Sequence, residues 1–136
     1  MRQRRITVTA VGVAIALAGT WAIQSLYAQQ PGFNRVELQR HDLSTPGRET
    51  VQVRAEFSPG GTVGKHTHPG EEVGYVLEGT VELEMEGKPR TTLKAGDAFF
   101  VPAGTVHAAK NTGSTSAKAL VTYIVEKGKP LATPVK

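Results

Sequence analysis

Apolar and polar residues alternate strictly over residues 81–86, Val-Glu-Leu-Glu-Met-Glu. Side chains along an extended strand point to opposite faces in turn. Val81, Leu83 and Met85 therefore face one way, and Glu82, Glu84 and Glu86 form a solvated row on the other. Residues 51–57 repeat the pattern and predict a strand burying Val51, Val53, Ala55 and Phe57. The run from Ala119 to Val125 is rich in Val, Ile and Tyr and apolar on both faces, which predicts an inner strand. Turn residues separate these runs: Pro59-Gly60-Gly61, Pro69-Gly70, Glu86-Gly87-Lys88-Pro89, Ala95-Gly96-Asp97, Pro102-Ala103-Gly104 and Asn111-Thr112-Gly113. Such close spacing suits a sandwich or barrel of short strands. No useful helical periodicity follows residue 28. The tail from Gly128 to Lys136 is expected to lie on the surface or fray.

Residues 1–28 break the pattern. Arg2, Arg4 and Arg5 precede an apolar run from about Val8 to Ile23, and small residues close the segment at Ala28. This reads as a signal peptide, with an uncleaved membrane anchor as the alternative. The division expected is thus a signal segment at 1–28 and a single domain at 29–136, in a chain exported to the periplasm or secreted. Arg4-Arg5 also leaves a twin-arginine export route open.

Charge and composition narrow the function classes. The formal net charge is +4, but three of the 16 basic residues are those of the leader; the other 13 nearly balance 12 acidic residues. No basic stripe with interleaved aromatics is left for nucleic acid. The chain has no cysteine, so disulfides, thiolate metal sites and thiol nucleophiles are excluded. Any metal must be held by nitrogen and oxygen.

His66 and His68 flank one residue, so on a strand both imidazoles reach the same side. Pro69-Gly70 turns the chain, Glu72 follows with a hard oxygen, and Pro102-Ala103-Gly104 aims His107 back across the same face. Three imidazoles and one carboxylate suit one divalent transition ion (Fe, Mn, Co, Ni, Cu or Zn) with coordination positions left for a ligand. His41 and Glu71 fall outside the set. Most of Tyr75, Phe99, Phe100 and Tyr123 are expected in the core, with one or two lining a cavity. Asn111 is expected to end a strand and bond the backbone.

The spacing Gly60-x5-His66-x-His68-x3-Glu72-x6-Gly79, followed by Gly96-x5-Pro102-x-Gly104-x2-His107-x3-Asn111, resembles the two motifs of the cupin superfamily at every fixed position. The resemblance is strong from Gly60 to Asn111 and is that of a small single-domain bacterial cupin. It implies a six- to eight-stranded antiparallel jelly-roll barrel with one metal ion inside, held by His66, His68, Glu72 and His107. It also implies a homodimer, for which residues 33–40 are candidates to exchange as a strand. For function it implies a metal-dependent enzyme acting on a small molecule, with dioxygenase-like oxidation foremost. A non-catalytic small-molecule-binding cupin and a structural metal are the alternatives. A small-molecule ligand is the expected partner, with no nucleic acid, and membrane contact only through an uncleaved leader.

Overall fold

A computed structural model describes residues 30–136, so the predicted leader lies outside the described residues. Ten strands follow in order: β1 (Phe33–Asp42), β2 (Arg48–Phe57), β3 (Thr62–Thr67), β4 (Gly70–Glu78), β5 (Thr80–Met85), β6 (Thr91–Lys94), β7 (Ala98–Val101), β8 (His107–Asn111), β9 (Ala117–Glu126) and β10 (Thr133–Pro134). They form two five-stranded antiparallel sheets, ordered β1-β2-β9-β4-β7 and β10-β3-β8-β5-β6. Successive strands switch sheets repeatedly, as in a jelly roll. Eight strands, β2 to β9, carry the expected barrel. The two extra strands come from the two ends of the described residues, which pair along β2 and β3 and cover edges that would otherwise expose unpaired backbone groups.

The predicted strands appear where alternation placed them. In β2, Val51, Val53, Ala55 and Phe57 are buried; in β5, Val81 and Leu83 are buried with Met85 packed against them. β9 is the central strand of its sheet, as its apolar character required. Its burial is nonetheless one-sided. Ala119, Val121, Tyr123 and Val125 face the core, whereas Leu120, Thr122 and Ile124 on the outer face are half-buried. The interior between the sheets is lined mainly by β2, β9, β5 and β7. Asn111 ends β8, fully buried. Its amide donates to the carbonyls of Phe57, Ser58 and Thr115 (3.3, 3.1 and 2.7 Å) and its oxygen accepts from Gly113 N.

Two expectations need correction. The C-terminal tail lies on the surface for most of its length, as expected, but it is docked rather than loose: Ala132 is buried, Leu131 packs on the core and β10 pairs with Thr67 and His66. Tyr75 and Phe100 are not core residues, being 47% and 51% exposed. They stand on the outer faces of β4 and β7, while Phe99 and Tyr123 face inward.

Candidate metal centre

The site forms where the chain crosses between sheets. His66 lies on β3 and His107 opens β8, and the two are cross-strand partners in one sheet. His68 follows β3. Pro69 and Gly70 then carry the chain to the other sheet, where Glu72 projects inward from β4 beside Tyr123 and Val101. A Cβ on Gly70 would sit 2.0 Å from the Ile124 carbonyl oxygen, so only glycine allows the crossing to pack this closely. At Gly104 a positive φ of 69° closes the turn ahead of His107, and its N–H donates to the His68 carbonyl (3.1 Å).

A bulge sets the phase of His66. Val63 pairs with Ala109 and His66 with His107, so three steps on β3 match two on β8. The extra residue lies in the exposed Gly64-Lys65 stretch, and it lets both Val63 and His66 face inward. Without it, strict alternation would put those two side chains on opposite faces.

All four predicted residues meet. Their donor atoms lie within 4.8 Å of one another, and each side chain is buried. The three imidazoles pack with centroids 4.2–5.0 Å apart. Each Nδ1 donates to a backbone carbonyl: His66 to Gly64 (2.8 Å), His68 to Leu131 (2.5 Å) and His107 to Thr105 (2.9 Å). A carbonyl can only accept, so the proton of each neutral ring sits on Nδ1, and the Nε2 lone pairs are left for the centre. Glu72 Oε2 lies 2.9 Å from His68 Nε2 and 3.0 Å from His107 Nε2.

This geometry fits a cation. His68 Nε2 is buried, and its short approach to Glu72 lacks hydrogen-bond alignment, which leaves it without a partner. Lone pairs turned toward a carboxylate repel unless a proton or a metal lies between them. Burial, reinforced by the His107 charge, holds the His66 imidazole down at about 4, so it stays neutral and able to coordinate. Burial pushes the Glu72 carboxyl up, but the close approach of the His107 and His68 rings outweighs this and holds it at about 2, so it is an anion. For His107, burial pulls down and Glu72 more than compensates, raising it. Three imidazole nitrogens and one carboxylate thus meet at one point, a nitrogen and oxygen set suited to one divalent transition ion, which would displace the proton that Glu72 favours on His107.

A cavity of about 40 Å³ adjoins His66, Glu72 and His107. Its remaining wall is mostly apolar and includes Phe99 and Tyr123, whose ring lies 4.5 Å from that of His68. Burial pushes the Tyr123 hydroxyl pKa upward, so it remains protonated. His41 is exposed on β1 and apart from the site. Glu71 points away and pairs with Arg48 (2.9 Å). Glu82 and Glu84 pair on the surface with Arg90. Sequence reasoning missed Arg35, which lines the same cavity from β1; an arginine outside any motif gives no signal of that kind.

A family model described as a cupin domain matches residues 53–123, just over half of the 136 residues. The chain belongs to the cupin family. Germin-like protein subfamily 2 member 2 of Arabidopsis thaliana is 41% identical to this cupin over 86 residues, covering 57% of this chain and 39% of its own length. An oxalate-binding protein of Thermotoga maritima is 38% identical over 74 residues, covering 54% of this chain and 60% of its own. Among solved structures, an oxalate oxidase in complex with the substrate analogue glycolate superposes with a TM-score of 0.63 at 27% identity. That match covers 78% of this chain and 56% of that one. This cupin thus spans about 40% of the length of the germin-like relatives it matches.

Proposed function

We propose that this chain is an exported metal-binding cupin that acts on a small molecule at one divalent ion held by His66, His68, Glu72 and His107, with oxidation of the dioxygenase kind as its reaction class. The observation that carries the reading is the convergence of three Nε2 atoms and one carboxylate on a single buried point, with each Nδ1 proton tied to a backbone carbonyl. An ion bound there would supply Lewis acidity and, for Fe, Mn, Ni or Cu, one-electron chemistry. The chain's own residues fix the four donors and exclude bulk water with the apolar wall around Phe99 and Tyr123. One water needs roughly 10–15 Å³ of such space, so the cavity takes only a few non-hydrogen atoms. That size favours a small substrate, in keeping with relatives named for oxalate.

The relative named as an oxalate-binding protein favours a second reading, in which the metal centre binds a small acid without turnover. Oxygen uptake by protein loaded separately with Fe, Mn, Ni, Cu and Zn separates the two, assayed across small acids, catechols, flavonols and diketones. Uptake with at least one metal supports the enzyme. Tight binding with no uptake under any metal supports the second reading. Metal analysis of protein purified from its own compartment identifies the ion, because overexpression loads whichever metal binds most strongly.

Export and a homodimer belong to the same proposal. The basic and apolar leader sequence supports the first. The second is supported by the outer face of β4 and β7, where Val73, Tyr75, Leu77 and Phe100 are 44–51% exposed. Sizing of the mature protein by light scattering tests the dimer, and N-terminal sequencing of the exported chain tests cleavage after Ala28.

A further inference from the structure

We propose that Arg35 is the specificity-determining residue of the metal site, and that it receives a carboxylate of a small anionic ligand. The inference deepens the small-molecule reading above and rests on it.

Five arginines are among the described residues. Four carry carboxylate partners: Arg40 with Glu37 and Glu49, Arg48 with Glu71, Arg54 with Glu56, and Arg90 with Glu82 and Glu84. Arg35 has none, yet it is half-buried and its Nε is buried with no hydrogen-bond partner. A buried guanidinium N–H left unmade costs about 1–3 kcal/mol or more, so its persistence calls for an acceptor from outside the chain.

Its position says which acceptor. Arg35 pairs with Ala55 in the β1–β2 register and shares that residue's inward face. Its guanidinium carbon lies 5.7 Å from the Phe33 ring centroid and 5.8 Å from that of Tyr123. The group lies beside both rings and meets the Tyr123 hydroxyl, while its Nε–H has no acceptor within the chain and is left for a carboxylate. Arg35 lines both the 40 Å³ cavity beside the cluster and a surface groove of about 860 Å³, and Phe33, Val63 and His66 line both with it. A ligand entering from the groove therefore passes Arg35 before it reaches the centre.

Charge points the same way. A divalent ion with the single carboxylate of Glu72 retains one positive charge, and Arg35 adds another within an otherwise largely apolar wall. Such a site favours a mono- or dicarboxylate over a neutral molecule of equal size. Lysine lacks the planar fork, so Arg35→Lys should recover only part of the affinity.

The test is calorimetric titration of oxalate, glycolate and the neutral analogue glycolamide into the mature protein, metal-loaded and metal-free. Wild type is compared with Arg35→Gln and Arg35→Lys, with metal content and melting measured on every sample. The expected result is a 10- to 100-fold weaker carboxylate affinity in Arg35→Gln, an intermediate value in Arg35→Lys, and glycolamide binding and metal content unchanged. Carboxylate binding that survives Arg35→Gln at wild-type strength overturns the proposal. So does a wild type that binds neither carboxylate in either form. A wild type that takes up no metal but still binds carboxylate through Arg35 supports the proposal while removing the metal reading, so the two fail separately.

Discussion

Ending the chain after Lys129 removes the Leu131 carbonyl that accepts the His68 Nδ1 proton at 2.5 Å. It also removes the pairing of β10 with Thr67 and His66. That carbonyl fixes the tautomer and orientation of a buried imidazole whose Nε2 has no partner within the protein. Loss of such a supporting hydrogen bond behind a metal-bound histidine lowers affinity by about 10- to 100-fold, equivalent to roughly 1.4–2.8 kcal/mol of binding free energy. The truncation also strips Leu131 and Ala132 from the core, which weakens the fold whether or not metal is present. Leu131→Ala separates the two effects, because it keeps the carbonyl and loses only apolar contact. For a half-buried leucine that loss is about 1 kcal/mol, or roughly 4–8 °C in Tm for a domain of this size. Competition titration against a chelating dye measures the ion affinity, and thermal melts in chelator measure the fold. The truncated protein should bind metal about 10- to 100-fold more weakly. Leu131→Ala should bind within about twofold of wild type while melting several degrees lower. Wild-type affinity in the truncated protein refutes the reasoning, as does an equal affinity loss in Leu131→Ala.

His66→Ala and His107→Ala should each reduce bound metal from about one ion per chain to a small fraction, read by elemental analysis; unchanged stoichiometry in both removes the ligand assignment. Asn111→Leu leaves the carbonyls of Phe57, Ser58 and Thr115 without their donor, and should cost about 2–3 kcal/mol in urea unfolding with metal content per folded chain preserved. The metal-free protein should show a pH signature of His66. Its folded pKa is about 4 and its ordinary value 6.5, so the unfolded chain takes up the proton first and stability is lost as pH falls across that window. The loss from this residue is about 3 kcal/mol. The stability gap between wild type and His66→Gln should therefore shift by about that amount between pH 7 and pH 4, and a gap independent of pH contradicts the burial of a neutral imidazole.

Much of the site was legible because its ligands are side chains at fixed spacings. A spacing of two along a strand placed His66 beside His68, and the turns at Pro69-Gly70 and Pro102-Ala103-Gly104 brought Glu72 and His107 to them. The carbonyls of Gly64, Thr105 and Leu131 were not legible, because any residue supplies a carbonyl and its direction is decided by tertiary packing. The bulge in β3 had one sequence signal, a glycine inside a strand, which marks such irregularities without specifying them. The tail looked like fraying surface because Pro and Lys dominate its composition, yet Leu131 and Ala132 suffice to dock it. Arg35 lies far from both motifs along the chain and reaches the cavity only through the β1–β2 register.

β4 explains why the aromatic residues were misplaced. Hydrophobic alternation in this strand marks Val73, Tyr75 and Leu77 as the inward set. The structure has the opposite phase: Gly70, Glu72, Gly74 and Val76 are buried, and the apolar set faces out. Two interior demands fix this phase. Glu72 must face inward to meet the three imidazoles. Gly74 must lie behind Phe99, since a Cβ there would fall 2.0 Å from the ring. A slip of one residue would satisfy the hydrophobic pattern of β4, but it would turn Glu72 to solvent and drive Val73 and Tyr75 into the cavity wall. β4 is held in phase by its backbone pairing with β9 and β7 rather than by its own amphipathicity: Gly70 through Val76 and Glu78 pair with β9, and Glu72 through Tyr75 pair with β7. Strand polarity is inverted where the ligand sits because the barrel interior there is a site before it is a core.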